Sequence, residues 1–171
     1  MSLITLDIGA NDFLRDLNPD CTVNVTQFTT DLQTLDVNLK TLILPQLYAA
    51  LMVHGRITGD LMLLNYYDPF QNVCHGAITP FIRSINQHLA SDVEGFGTLV
   101  NIFGPFGGNT TPPNPKVCDF TWMCSVPLAL PQDIHPTTKG YQVMANAIED
   151  LYRQRVAEAS SNDVERAYND I

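Results

Sequence analysis

Three short apolar segments are the feature that most limits how this chain can fold. They cover residues 2–8 (SLITLDI), 61–67 (LMLLNYY) and 97–103 (GTLVNIF), and a turn-forming glycine or Asp-Pro pair follows each. Near-continuous apolar runs of this length are typical of strands that are buried on both faces of a parallel sheet. Because segments with helical periodicity separate them, we expect an α/β protein with helices packed on a parallel sheet.

The segments between these strands predict the helices. Apolar residues recur at intervals of three and four in residues 25–53, where Pro45 predicts a kink, and in residues 78–89. A last helix is predicted from about residue 138 to residue 159, and the polar residues 160–171 are expected to form a frayed tail. The remaining segments are rich in polar residues, proline or glycine and are predicted to be loops: residues 11–23 and 104–131.

The charge of the chain excludes some classes of partner. Its 171 residues include 18 acidic and 9 basic side chains, a formal net charge of −9. Nucleic acid is not expected as a partner, because phosphate binding needs a basic face. The apolar runs are far shorter than the ~20 residues of a membrane-spanning helix. No basic residue precedes Arg15, so we expect no signal peptide within this sequence.

The four cysteines are an even number without CxxC or zinc-type spacing. We expect a short-loop disulfide between Cys118 and Cys124 and a second one between Cys21 and Cys74. Four buried free thiols in a cytosolic protein are the alternative. The pair Cys74-His75 has no matching ligand pair at a suitable spacing, so we predict no metal site.

The first motif with chemical potential is Gly9-Ala10-Asn11-Asp12, which directly follows the first predicted strand. Parallel sheets bind ligands at this carboxyl edge. A glycine lets the chain turn sharply, and Asn11 can then direct its side-chain amide at a reacting carbonyl oxygen. A preorganised amide donor of this kind is worth about 10²–10³ in rate. The alternative is a strand-ending turn in which Asn11 or Asp12 caps the next segment.

The second motif, residues 132–141 (QDIHPTTKGY), leads into the last predicted helix. A histidine at a loop-to-helix junction is held firmly, and its ring can face the carboxyl edge of the sheet. His135 therefore suits the role of general base for a serine hydroxyl, with a nearby carboxylate fixing its tautomer. The alternative is that His135-Pro136 only starts a helix.

Together the two motifs resemble those of the SGNH (GDSL-type) hydrolases. The Gly-Ala-Asn-Asp segment is similar to the block that supplies the family's oxyanion asparagine, here Asn11. DIHPTTKGY is similar to the block that supplies the catalytic histidine, here His135. Residues 63–70 (LLNYYDPF) resemble the family's fourth strand, and residues 118–124 (CDFTWMC) resemble a loop of secreted members.

The resemblance implies a three-layer α/β/α, flavodoxin-like fold and a secreted esterase or lipase. It implies no cofactor, and a small-molecule, lipid or glycan ester as the substrate. Trp122 and Met123 would then either line an acyl pocket or pack the loop. Tyr66 and Tyr67 are predicted to be mostly core residues.

The chain departs from the family pattern at the nucleophile. None of its six serines follows Gly-Asp, and the family's second oxyanion donor, a glycine, belongs to a block of the same upstream region. Many members place an aspartate three residues before the histidine, where this chain has Gln132. Either Asp133 or a backbone carbonyl is therefore expected to orient His135. We expect residues 1–159 to form a partial hydrolase domain that is nearly inactive alone.

In the family, the nucleophile strand lies beside the strand that residues 2–8 form here. Without that neighbour, residues 2–8 would present an unpaired apolar edge. We expect a second copy of the chain, a complementing N-terminal segment or local disorder to cover this edge.

Two other functions compete with the hydrolase hypothesis. A truncated or decayed hydrolase would bind ester or glycan ligands without catalysis, or only fold. An unrelated flavodoxin-like domain is the other alternative, but no glycine-rich phosphate loop follows the first strand.

Overall fold

The computed structural model describes residues 2–124 and 133–169, with side chains as far as residue 158. In chain order the elements are β1 (Ser2–Leu6), α1 (Ala10–Leu14), α2 (Val25–Asn38), a π-helical turn (Leu39–Ile43), α3 (Leu44–Ala50), β2 (Met52–Val53), β3 (Arg56–Ile57), β4 (Gly59–Leu64), α4 (Thr79–Val93), β5 (Thr98–Val100), α5 (Pro115–Phe120), a 3₁₀ turn (Trp122–Cys124) and α6 (Thr138–Asn169).

The main sheet consists of three parallel strands in the order β1-β4-β5. In the central strand β4, Leu61 pairs with Ile4 of β1, and Leu63 pairs with Leu99 of β5. The predicted parallel α/β architecture is therefore confirmed. Each strand ends two or three residues earlier than predicted, because the following residues leave the sheet for loops at its carboxyl edge.

The side chains of β4 alternate between two hydrophobic cores. Leu61 and Leu63 belong to the first core, which also includes buried residues of α2 and α4. Met62 and Leu64 belong to the second core, which α6 covers. Helices thus pack on both faces of the sheet, which confirms the three-layer arrangement. The apolar stripe of α6 that faces the second core consists of Val143, Met144, Ala147, Ile148, Leu151 and Tyr152.

The predicted loop over residues 11–23 begins instead with helix α1. Gly9 has a φ of 106°, which lets the chain reverse directly after the strand, and its carbonyl oxygen accepts a hydrogen bond from the Asp12 amide at 3.1 Å. Phe13 then packs into the first core. The loop prediction was wrong because a five-residue helix is too short to show periodicity.

The predicted helix over residues 25–53 ends earlier, at Ala50. The π-helical turn ends at Ile43, two residues before Pro45, so the predicted kink takes the form of a locally widened turn. Residues 52–57 form a short antiparallel hairpin instead of helix. Its turn residues, His54 and Gly55, have φ angles of 50° and 77°, which suit a tight hairpin turn.

The C-terminal region differs from the prediction in two ways. The backbone of α6 is helical as far as Asn169, beyond the predicted end of the last helix at residue 159, and the expected fraying of residues 160–171 stays a prediction. The predicted loop over residues 104–131 contains α5 and the 3₁₀ turn, and its residues 125–131 lie outside the described part. Within residues 2–124 and 133–169, no helix has the combination of length and hydropathy that crossing a membrane requires.

Both expected disulfides are present, which excludes the alternative of four free thiols. The Cys21–Cys74 and Cys118–Cys124 pairs have Cα separations of 5.5 and 5.0 Å, within the usual range. The first links the segment after α1 to the loop after β4. The second closes a short loop around the end of α5.

We predict that the two disulfides differ in their contribution to stability. Their sequence separations are 53 and 6 residues, and a longer closed loop restricts the unfolded chain more strongly. Replacing Cys21 and Cys74 by alanine should lower the free energy of unfolding by about 4 kcal/mol, against about 2 kcal/mol for Cys118 and Cys124. Urea denaturation of the two double variants measures the difference, and equal losses would contradict the prediction.

Candidate active site

A cavity of about 190 Å³ opens at the carboxyl edge of the sheet. Its walls come from the segments after β1 and β4, from α4, and from the segment that enters α6. One wall is apolar and consists of Phe13, Leu14, Phe70, Ile82 and Ile85. The polar side chains in its lining are Asp7, Asn11, Tyr66, Tyr67, His135 and Tyr141.

Asn11 and His135 line this same cavity. Asn11 is the second residue of α1 and is exposed, so its side chain is accessible at the cavity wall. The left-handed turn at Gly9 sets where α1 begins, and a Cβ atom there would stand 2.8 Å from Leu35 Cδ2. The two motifs therefore meet at one rim of the parallel sheet, as the order of elements in the sequence indicated.

Asp133 is in direct contact with His135. Its Oδ1 lies 2.7 Å from His135 Nδ1 and also accepts a hydrogen bond from the His135 backbone amide at 3.0 Å. These two bonds, first the backbone one and then the ring one, hold the pKa of the Asp133 carboxyl below its usual value. Of the two expected orienting groups, the Asp133 carboxylate is the one in contact with the ring within the described part of the chain. Gln132 lies outside the described residues.

The segment that carries His135 is fastened to the end of α5. The His135 carbonyl accepts a hydrogen bond from the Trp122 amide at 3.0 Å, and the Thr137 amide donates to the Phe120 carbonyl at 2.8 Å. A Cβ atom on Gly140 would stand 2.1 Å from that same carbonyl oxygen. The glycine of the second motif thus permits a close approach between α6 and α5.

The side chains predicted either to line an acyl pocket or to pack the loop are not part of the cavity lining. Met123 is fully buried in the first core, and Trp122 is half-exposed. Packing, and not substrate contact, is therefore the role of Met123. Tyr141, in the first turn of α6, is exposed at 56% and lines the cavity.

Sequence reasoning did not identify Asp7 and assigned the two tyrosines only to the core. The Tyr66 hydroxyl donates a hydrogen bond to the Ile8 carbonyl, and the Tyr67 hydroxyl donates to the Ile134 carbonyl at 2.7 Å. Burial, followed by the nearby Asp7 carboxylate, raises the pKa of both hydroxyls. The one signal in the sequence was a charged residue, Asp7, inside an otherwise uncharged strand segment.

Asp7 as a whole residue is exposed to solvent, yet its carboxyl group is buried enough to raise its pKa. A carboxylate at this position stands at the edge of the sheet, between the first strand and Asn11. It therefore contributes negative charge to the cavity wall.

A second histidine–carboxylate pair lies away from the cavity. His88 Nδ1 is 2.7 Å from Asp36 Oδ2, between α4 and α2, and neither residue lines the cavity. Among residues 2–124 and 133–158, no three His, Cys, Asp or Glu side chains form a group that could hold a metal ion. The expected absence of a cofactor stays a prediction.

The fold and the position of the cavity define a three-layer α/β protein with its candidate site at the carboxyl edge of a parallel sheet. Residues 1–148 match the family GDSL-like Lipase/Acylhydrolase. The chain therefore belongs to this family, which confirms the resemblance to SGNH hydrolases and excludes an unrelated flavodoxin-like domain. Members of this family are ester hydrolases that act on small esters. No curated protein and no solved structure gives a significant match.

We predict that replacing Asp7 by asparagine changes the pH dependence of stability. Because the folded-state pKa of Asp7 is raised, its stabilising contribution is present below the unfolded value near 3.8 and is lost as the pH rises through the folded value. Asp7→Asn should therefore gain stability relative to the parent protein as the pH increases from 3 to 7. Thermal unfolding across this range measures the difference, and an advantage confined to pH 3 would contradict the prediction.

Proposed function

We propose that this chain supplies the general base and the oxyanion donor of a serine ester hydrolase that acts on acyl esters. The observation that carries the proposal is the presence of Asn11 and the His135–Asp133 pair at one apolar cavity. In this proposal a serine hydroxyl attacks the ester carbonyl and His135 accepts its proton. The Asn11 amide then stabilises the tetrahedral oxyanion.

The contact with Asp133 supports the role of His135. A carboxylate that accepts a hydrogen bond from Nδ1 leaves Nε2 unprotonated and free to accept a proton from serine. The same oxygen also accepts the His135 amide, so ring and backbone are oriented by one group. The lowered pKa of Asp133 keeps this group ionised at neutral pH.

The cavity supports an acyl group of limited size. An apolar cavity of about 150 Å³ binds benzene, and this one, at about 190 Å³, is only moderately larger. Its apolar wall is formed by residues of α1, α4 and the loop after β4. We therefore propose esters of short or compact acids as substrates in preference to esters of long-chain fatty acids.

The nucleophile requires a separate proposal, since no serine of this chain follows Gly-Asp. β1 is the edge strand of the main sheet, and Leu3 on it is exposed at 40%. We propose that a strand carrying the serine pairs with this open edge. Residues 1–159 are then a partial hydrolase domain, and residues 160–171 are an extension beyond it. A second copy of this chain at the same edge would instead produce a dimer without a nucleophile.

The two disulfides support an extracellular location, because the cytosol keeps thiols reduced. The sparingly charged, acidic composition fits this proposal but does not require it.

A ligand-binding protein without catalytic activity is the second candidate function. The observation that favours it is the lack of a Gly-Asp-Ser segment in the chain itself. In that case the cavity would hold an ester or its products, and Asn11 would have no effect on any rate.

The test is a chimera in which the serine-bearing N-terminal segment of an active GDSL-like acylhydrolase precedes Ser2. We expect it to hydrolyse p-nitrophenyl butyrate faster than p-nitrophenyl palmitate. His135→Ala should lower kcat on the order of 10⁶-fold, and Asn11→Ala about 10²–10³-fold. Chain 1–171 alone should not react with a fluorophosphonate probe, because it lacks the activated serine.

His88→Ala is the matched control, because His88 has the same 2.7 Å contact with a carboxylate but lies away from the cavity. Its kcat should equal that of the parent chimera. Full activity of the His135→Ala chimera, or fluorophosphonate labelling of a serine within chain 1–171, would overturn the proposed mechanism. An active chimera that is indifferent to Asn11→Ala would remove the oxyanion role.

A further inference from the structure

We propose that Tyr66 and Tyr67 are a pair of positioning residues, in which one hydroxyl holds the segment of Asn11 and the other holds the segment of His135. The inference rests on the function proposed above, since it assigns a purpose to the spacing of those two groups. Neither tyrosine is proposed to touch the reacting atoms. Both act through the backbone carbonyl groups that they bind.

The two tyrosines are adjacent in sequence but pack into opposite layers. Tyr66 belongs to the first core and Tyr67 packs against the second. The strict alternation of β4 would place residue 66 on the side of Leu64, so the chain departs from strand geometry at Asn65. Asn65 uses its side-chain oxygen to accept the amide of Ile102 at 2.6 Å, outside the strand ladder.

Tyr66 braces the turn that precedes Asn11. Its hydroxyl donates a hydrogen bond to the Ile8 carbonyl, directly before the left-handed Gly9. The Tyr66 backbone is itself clamped, because Asn86 of α4 accepts its amide at 2.7 Å and donates to its carbonyl at 2.8 Å. The turn before Asn11 is thus held in place relative to two buried elements, the central strand β4 and helix α4.

Tyr67 braces the segment that carries the histidine. Its hydroxyl donates to the Ile134 carbonyl at 2.7 Å, one residue before His135. Its ring stacks on Phe106, with ring centroids 4.4 Å apart and planes inclined by 17°. Phe106 is fully buried in the second core, so it gives Tyr67 a fixed support.

The two tyrosines attach two segments that are far apart in the sequence to the same short stretch of chain. The partners of the two hydroxyls lie 58 and 67 positions away along the chain, whereas the hydroxyls belong to consecutive residues. A displacement of about 1 Å between catalytic groups costs on the order of 10²-fold in rate. Two hydrogen bonds from one rigid strand end therefore limit how far Asn11 and His135 can move relative to each other.

The test compares Tyr66→Phe and Tyr67→Phe in chain 1–171 by NMR. Tyr66→Phe should shift the side-chain amide resonance of Asn11 and accelerate hydrogen exchange of the Asp12 amide, which donates to Gly9, by about five- to tenfold. The ring resonances of His135 should not change. Tyr67→Phe should do the reverse: it should shift the His135 ring resonances and accelerate exchange of the Trp122 amide, which donates to the His135 carbonyl.

Tyr48→Phe is the control for loss of a tyrosine hydroxyl elsewhere, because Tyr48 lies on α3 against Phe96 and not at the cavity. It should leave both sets of resonances unchanged. A role limited to overall stability would affect both segments equally in each variant, and that result, or no change in either segment, would overturn the proposal.

The NMR comparison does not depend on turnover, so it tests the positioning role even if the chimera is inactive. In an active chimera, each Tyr→Phe variant should lower kcat about ten- to hundredfold with KM within twofold of the parent. A chimera in which His135 is essential but both tyrosine variants keep full kcat would overturn the positioning role and leave the proposed function intact.

Discussion

The burial of β4 on both faces is the constraint on which the rest of the structure depends. Its four consecutive apolar residues are divided between two cores, so the strand cannot shift by one position without reversing every contact. Gly59 and Gly97 sustain this packing at the other edge, where a Cβ atom would stand 2.2 and 2.3 Å from backbone oxygens of neighbouring strands. A strand fixed in this way gives its carboxyl end a defined position. The strand end therefore also fixes the positions of the polar residues that follow it, Asn65, Tyr66 and Tyr67. Their side chains in turn bind the loops through hydrogen bonds.

The candidate site combines an apolar wall with carboxyl groups in different surroundings. Asp133 is stabilised as an anion by hydrogen bonds and stays exposed to solvent. Among the residues that the structure describes, none donates a hydrogen bond to the Asp7 carboxyl, and burial disfavours its ionised form. The site therefore holds one carboxylate that is ready to orient a histidine and another whose charge is held at a free-energy cost. Opposite environments of this kind are common where titratable groups have separate tasks.

The sequence was informative wherever a structural cause lies within a few residues. Local patterns in the sequence predict the strands, the two long helices and the motifs of Asn11 and His135. The disulfide pairs could be predicted because four cysteines allow few pairings. Helix α1, the hairpin at residues 52–57 and the tyrosine contacts were missed, for two different reasons. The first two are too short for periodicity. The acceptors of the tyrosine hydroxyls are backbone carbonyls of distant segments, and no residue type marks a carbonyl as an acceptor.

The two histidine–carboxylate pairs show why the site must be argued from its surroundings and not from the pair alone. His88–Asp36 and His135–Asp133 have the same 2.7 Å separation. The first pair joins two helices, and the neighbouring Lys40–Asp92 ion pair at 2.8 Å places it within a network of structural charges. The second pair faces a cavity with an apolar wall and an accessible amide at Asn11. A proton acceptor becomes useful for ester chemistry only where a substrate can lie beside it, so position at the sheet edge distinguishes the two.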